Sequence, residues 1–145
     1  MVNAKTILPT VELAGRVLLA SLFVLEALTK LSAYEAAQAY MRAFGISGQI
    51  LPLAIAVELG GGILIVLGWQ TRIAAFVLAV FCATAAFIFH TKFGDRNQLI
   101  HFEKDLALAG AFLIVCARGA GSYSLDAMEL RRAARGKSAR GTKPT

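Results

Sequence analysis

Apolar residues fall into four long runs along this chain, at residues 11–31, 50–67, 73–89 and 106–117. Inside each run Leu, Ile, Val, Ala and Phe follow one another without the strict alternation of a half-buried strand. The first three are close to the ~20 residues that a helix needs to cross a bilayer core. The fourth reaches spanning length, about 105–118, once Asp105 and residues 119–123 sit in the two interfaces. Strands of a membrane barrel would be about ten residues of alternating hydrophobicity, so helices are expected instead. The pattern therefore predicts an all-α fold, an integral membrane four-helix bundle. Between the first two runs, Tyr34, Ala37, Tyr40, Met41 and Phe44 recur at helical spacing until Gly45. That predicts a short amphipathic helix in the first outer loop, lying on the membrane or capping the bundle.

Composition agrees with this reading. Hydrophobic residues make up 57% of 145 residues and the mean hydropathy is +0.64, too apolar for a soluble domain of this size. The length suits one bundle. The expected division is a membrane domain over 1–126, with spans near 11–31, 50–67, 73–89 and 105–118, and a basic tail over 127–145. The tail is expected to lack regular structure beyond about Arg132. The first run is too long for the core of a signal peptide and is expected to remain as a span.

Charge sets the orientation. The net charge of +6 is concentrated in the tail, with Arg118, Arg131, Arg132, Arg135, Lys137, Arg140 and Lys143. The positive-inside rule places that tail in the cytoplasm, and four spans bring the N-terminus to the same side of the inner membrane. Tails of this kind hold topology and touch anionic lipid, so no nucleic-acid partner is expected. The expected partners are the lipid bilayer and either a redox partner protein or further copies of the chain.

Charged side chains inside spans are expensive and tend to be functional. In the first run Glu12, Arg16, Leu19, Phe23, Glu26 and Lys30 step by four and three along one helix face. Glu12–Arg16 and Glu26–Lys30 are acid-first pairs, the better order for a helical ion pair. In the second run Glu58 precedes three glycines, and Ala54, Glu58, Gly61, Gly62 and Ile65 share a face. Glycines let backbones approach. A buried carboxylate needs a cation, so Glu58 is expected against Lys30 or Arg16, with Lys30 nearer in depth. His90 closes the third run, and His101, Glu103, Lys104 and Asp105 open the fourth. Helix rise puts Glu26, Lys30, Glu58, His90, Lys104 and Asp105 in the outer half, which predicts a polar pocket opening outward. Cys82 and Cys116 differ in depth by roughly 10 Å, too far for a disulfide, and read as core residues. No metal, phosphate-loop or nucleophile–base motif is present in the sequence, and no metal site is expected.

Residues 10–126 resemble the DoxX family of small four-span membrane proteins. The resemblance rests on GRVLLASLFVLEALTKL, on PLAIAVELGGGILIVLGWQTRIAAFVLAVF, on FH at the close of the third run, and on KDLALAGAFLIVCARGAGSYSLD. One departure is Glu26, where many members carry a small residue. The resemblance implies a four-helix bundle and a redox-associated role, because the family is named for subunits of quinone-linked oxidoreductase systems. It also implies that Arg16, Lys30, Glu58, Arg72 and His90 occupy recurrent polar positions. The expected polar network is thus Arg16, Glu26, Lys30, Glu58, Arg72, His90, Lys104 and Asp105. The expected function is a redox-associated membrane subunit that takes a quinone or small sulfur compound. No haem, flavin or iron–sulfur ligand pattern is present, so electrons are expected from a partner. The alternatives are an assembly subunit whose charges bind helices together, and a small-solute permease acting as an oligomer.

Overall fold

The computed structural model describes residues 4–141, and the side chains of 7–137. Its helices are α1 (Ala4–Ser32), α2 (Tyr34–Ala43), α3 (Leu51–Leu67), α4 (Thr71–Phe89), α5 (Arg96–Arg118) and α6 (Leu125–Gly141), with a 3-10 turn at Gly48–Ile50. No strand occurs among the described residues. The fold is an all-helical membrane bundle. Ile7–Ser32, Gly48–Leu67 and Thr71–Phe89 are long and apolar enough to span a membrane. At 1.5 Å per residue α4 alone covers about 28 Å, near the thickness of the hydrocarbon core.

Two antiparallel helix pairs build the bundle: α1 lies along α3, and α4 along α5, with α3 and α4 joining the pairs. The core is made of small residues with a few large ones. Ala20, Ile65, Ala75, Leu78 and Phe112 are fully buried between the pairs. The outer surface is apolar instead of polar: Leu18, Phe87 and Ile114 are 73%, 63% and 63% exposed. That inversion is what a lipid-facing helix requires. Two of the three glycines in α3 work as close-approach positions. A Cβ on Gly61 would strike the Leu78 side chain of α4, and one on Gly62 would press on Val24 and the Ala20 carbonyl of α1. Gly60 faces open space. The buried face of α1 runs through Arg16, Ala20, Phe23 and Ala27, one residue round from Leu19 and Glu26.

α2 caps the bundle. Tyr34, Ala37 and Met41 pack on Ala27, Leu51 and Ile55, and the helix ends at Gly45, whose φ of 75° suits glycine. α5 begins at Arg96, well ahead of its apolar run, because the Asp95 side chain accepts from the Asn97 amide and caps it. The tail departs from expectation. α6 remains helical to Gly141, where irregular structure was expected beyond Arg132. Its Ala, Arg and Lys residues are strong helix formers, and low hydrophobicity alone does not unwind them.

Candidate functional site

Ionisable side chains gather at the two ends of the bundle. At the end where α3 turns into α4, the short connection Gly68–Gln70 is held by residues distant in sequence. Gly68 ends α3 with φ 65° and Gln70 precedes α4 with φ 49°. The Asp126 carboxylate accepts from the Gln70 amide at 2.8 Å and the Thr71 amide at 3.0 Å, so it caps α4 from the far side of the sequence. The Asp126 amide returns a hydrogen bond to the Gly68 carbonyl at 2.9 Å. Arg16, 3% exposed, donates through Nη1 to the Ile65 carbonyl at 3.0 Å and through Nη2 to the Tyr123 carbonyl. It thereby ties the end of α3 to the segment that leads into α6, beside the Gly68 amide already on the Ile65 carbonyl. Ser124 Oγ donates to the Gly121 carbonyl and accepts from the Ala127 amide. Partial burial works to raise the Asp126 pKa, but the Thr71 and Gln70 hydrogen bonds and the Arg16 charge outweigh it and hold the group below the usual carboxylate range.

The α2 end is open. There α1, α2, α3, α4 and α5 enclose a cavity of about 740 Å³. Its walls are largely apolar, with Leu22, Val57, Phe81 and Ile88 among them. Polar groups enter from two sides. On the α1–α3 side, Lys30 Nζ lies 2.9 Å from Glu58 Oε1 and 3.2 Å from Glu26 Oε2. Glu58 is 4% exposed, and its second oxygen, Oε2, is buried without a hydrogen-bond partner. On the α4–α5 side, His90 Nδ1 is bonded to Gln98 Oε1 at 3.0 Å, and His90 Nε2 lies 3.7 Å from Asp105 Oδ2. An amide oxygen only accepts, so Nδ1 is the donor to Gln98 and Nε2 faces the Asp105 carboxylate. His101 stacks on His90 with ring centroids 5.1 Å apart. Tyr40 of α2 lines the cavity at this end, stacked on Phe89. Burial first, then the Asp105 charge, push the Tyr40 phenol above its ordinary value, so it stays a neutral donor.

The structure divides the eight residues expected as one network. Glu26, Lys30, Glu58, His90, Lys104 and Asp105 line the cavity. Arg16 and Arg72 do not: they sit at the opposite end, Arg16 on the α3 carbonyls and Arg72 beside Gly119. The Glu26–Lys30 pair forms. Among the described residues Arg16 and Glu12 do not form a salt bridge. The Glu12 carboxylate lies instead where a Cβ on Gly121 would fall. Cys82 and Cys116 are free thiols, and both pack in or against the core. Tyr40, Gln98 and His101 join the cavity although they were outside the expected set. Tyr40 was visible only as one apolar-face position of α2.

The DoxX family profile matches residues 11–91. The chain belongs to the DoxX family. It is 39% identical over 114 residues to inner membrane protein YqjF of Escherichia coli (strain K12), an alignment that covers 79% of this chain and 88% of the relative. It is 32% identical over 125 residues to inner membrane protein YphA of the same organism, covering 81% and 89% respectively. No solved structure matches the chain.

Proposed function

We propose that this chain is an inner-membrane subunit of an oxidoreductase system whose cavity at the α2 end takes a quinone-class ligand from the bilayer. The observation that carries the reading is the pairing of an apolar cavity of about 740 Å³ with two acid–base pairs, Lys30–Glu58 and His90–Asp105, on facing sides. The volume falls in the range of small-molecule sites, and such sites are mainly apolar with a few convergent polar groups. The residues fit a ring bearing oxygens at its edges. Lys30, Tyr40 and His101 are donors to a carbonyl, and the Glu58 carboxylate that lines the cavity is an acceptor for a hydroxyl. When bound, a quinone supplies electron transfer coupled to proton uptake. The chain's own part is to seat the ring against Phe81, Ile88 and Val57. Glu58 receives or returns a proton while Lys30 balances its charge. His90 exchanges a proton at Nε2 under the hold of Gln98 and Asp105. A partner protein is the proposed source of electrons.

In this reading α5 is a fourth span, with Leu113 and Ile114 exposed to lipid. The tail and the N-terminus face the cytoplasm, so the cavity opens outward. The relatives named as inner membrane proteins support the location. The test is mass spectrometry of lipid-soluble small molecules that copurify with the chain in native lipid discs. A quinone retained by wild type and depleted in Glu58→Gln and His90→Ala supports the proposal. Equal quinone content in all three, or none in any, overturns it.

A further inference from the structure

The opposite end of the bundle holds a second hollow, of about 550 Å³, between the α3–α4 turn, the end of α5 and the start of α6. Arg72 and Arg118 line it, with Ile73, Leu130 and Glu129. Both arginines are exposed, and among the described residues neither takes part in a salt bridge. The Arg72 guanidinium lies alongside Gly119, the residue that follows Arg118, its Nε 3.5 Å from where a Cβ would stand. We propose that this hollow binds the phosphate headgroup of an anionic phospholipid, with Arg72 and Arg118 as its guanidinium donors.

Three observations point to an anion there. Arg118 ends α5, where the helix dipole favours a cation, but Arg72 lies in the first turn of α4, where the dipole opposes one. Asp126 also lines the hollow, but its carboxylate is turned to the Gln70 and Thr71 amides and forms no salt bridge with Arg72 among the described residues. Two exposed guanidinium groups line the same hollow, and each can grip a phosphate with two N–H groups. Depth selects lipid over free phosphate. The turn joins two helices long and apolar enough to span, so it lies at an interface. Trp69 and Tyr123, 43% and 49% exposed, mark that level as interfacial aromatics do. Ile73 and Leu130, 64% and 72% exposed, offer an apolar flank to the glycerol and first acyl carbons.

The experiment is native mass spectrometry of the full-length protein titrated with phosphatidylglycerol, and separately with phosphatidylcholine. An arginine at an anionic headgroup changes occupancy about fivefold, so Arg72→Gln and Arg118→Gln should each lose that much, and the double variant roughly 25-fold. Phosphatidylcholine adducts should be unchanged. A control, Arg42→Gln, alters an exposed arginine of α2 at the opposite end of the bundle and should leave phosphatidylglycerol binding as in wild type. The single variants keep the test open if the double variant does not fold. Wild-type phosphatidylglycerol binding in the Arg72 and Arg118 singles overturns the proposal, as does an equal loss in the Arg42 control. Displacement of the lipid by millimolar inorganic phosphate would identify a free-anion site and also overturn it.

Discussion

Removing either member of the Lys30–Glu58 pair should not be equivalent, and the asymmetry can be worked from the environment of each. Lys30→Met leaves Glu58 at 4% exposure with both oxygens unpaired. That is the uncompensated buried charge whose cost is about 3–5 kcal/mol. Glu58→Leu leaves Lys30 with Glu26 at 3.2 Å, and its side chain is 27% exposed, so water and one carboxylate still serve it. We expect that variant to cost about half as much, on the order of 2 kcal/mol. The double variant Lys30→Met with Glu58→Leu replaces the pair by apolar volume and should recover most of the loss. The assay is thermal or chemical unfolding of the four proteins in matched lipid discs, read as a double-mutant cycle. A coupling energy near zero, or a larger loss for Glu58→Leu than for Lys30→Met, would refute the reasoning. Glu58→Gln then separates glue from chemistry. It should stay folded and lose ligand, since an amide keeps a hydrogen bond to Lys30 but exchanges no proton.

Asp126→Ala should uncap α4 and cost about 1–2 kcal/mol, seen as a lower unfolding midpoint. Because the Asp126 pKa is depressed in the fold, this contribution is complete above the unfolded value near 4 and is lost as pH falls through the folded value. Wild type and Asp126→Ala should therefore differ by a constant amount from pH 5 to pH 8 and converge only in strong acid. A difference that varies across neutral pH would contradict that account. Gly68→Ala should be worse than a helix-interior change, because φ is 65° and a Cβ there would collide with Arg16 and Ser124. Loss of more than about 2 kcal/mol, measured by unfolding in discs, is expected, and a silent variant would show that this end is loosely built. A reporter fused after Thr145 should be active only in the cytoplasm, and a periplasmic signal would reverse the proposed orientation.

Axial depth was legible in the sequence; neighbour identity around each helix axis was much less so. Rise per residue put Lys30 and Glu58 at one level, and burial economics required a cation for the carboxylate, so their contact followed. The same arithmetic grouped His90 with Asp105. Arg16 could not be assigned in this way. Its partners are the Ile65 and Tyr123 carbonyls, which every residue possesses and no letter of the sequence marks. Arg72 carried a resemblance to recurrent polar positions but no depth in common with the cavity, and depth was the better guide. Tyr40 and His101 belong to segments outside the apolar runs, where periodicity gave a helix but no direction toward the bundle. Beyond Arg132 the helicity of α6 rests on the intrinsic preference of Ala, Arg and Lys, which a lack of burial does not cancel.

The Asp126 cap has a consequence for how the protein is made. The turn between α3 and α4 is translated and inserted long before residue 126 leaves the ribosome, so the Gln70 and Thr71 amides wait at the interface without their acceptor. Arg16 likewise meets the Tyr123 carbonyl only after α5 has been delivered. Closure of this end is thus a late event in biogenesis, available to a finished chain and withheld from one that stalls or is truncated within α5. An unfinished product would carry an open turn and an incompletely satisfied guanidinium at that end of the bundle.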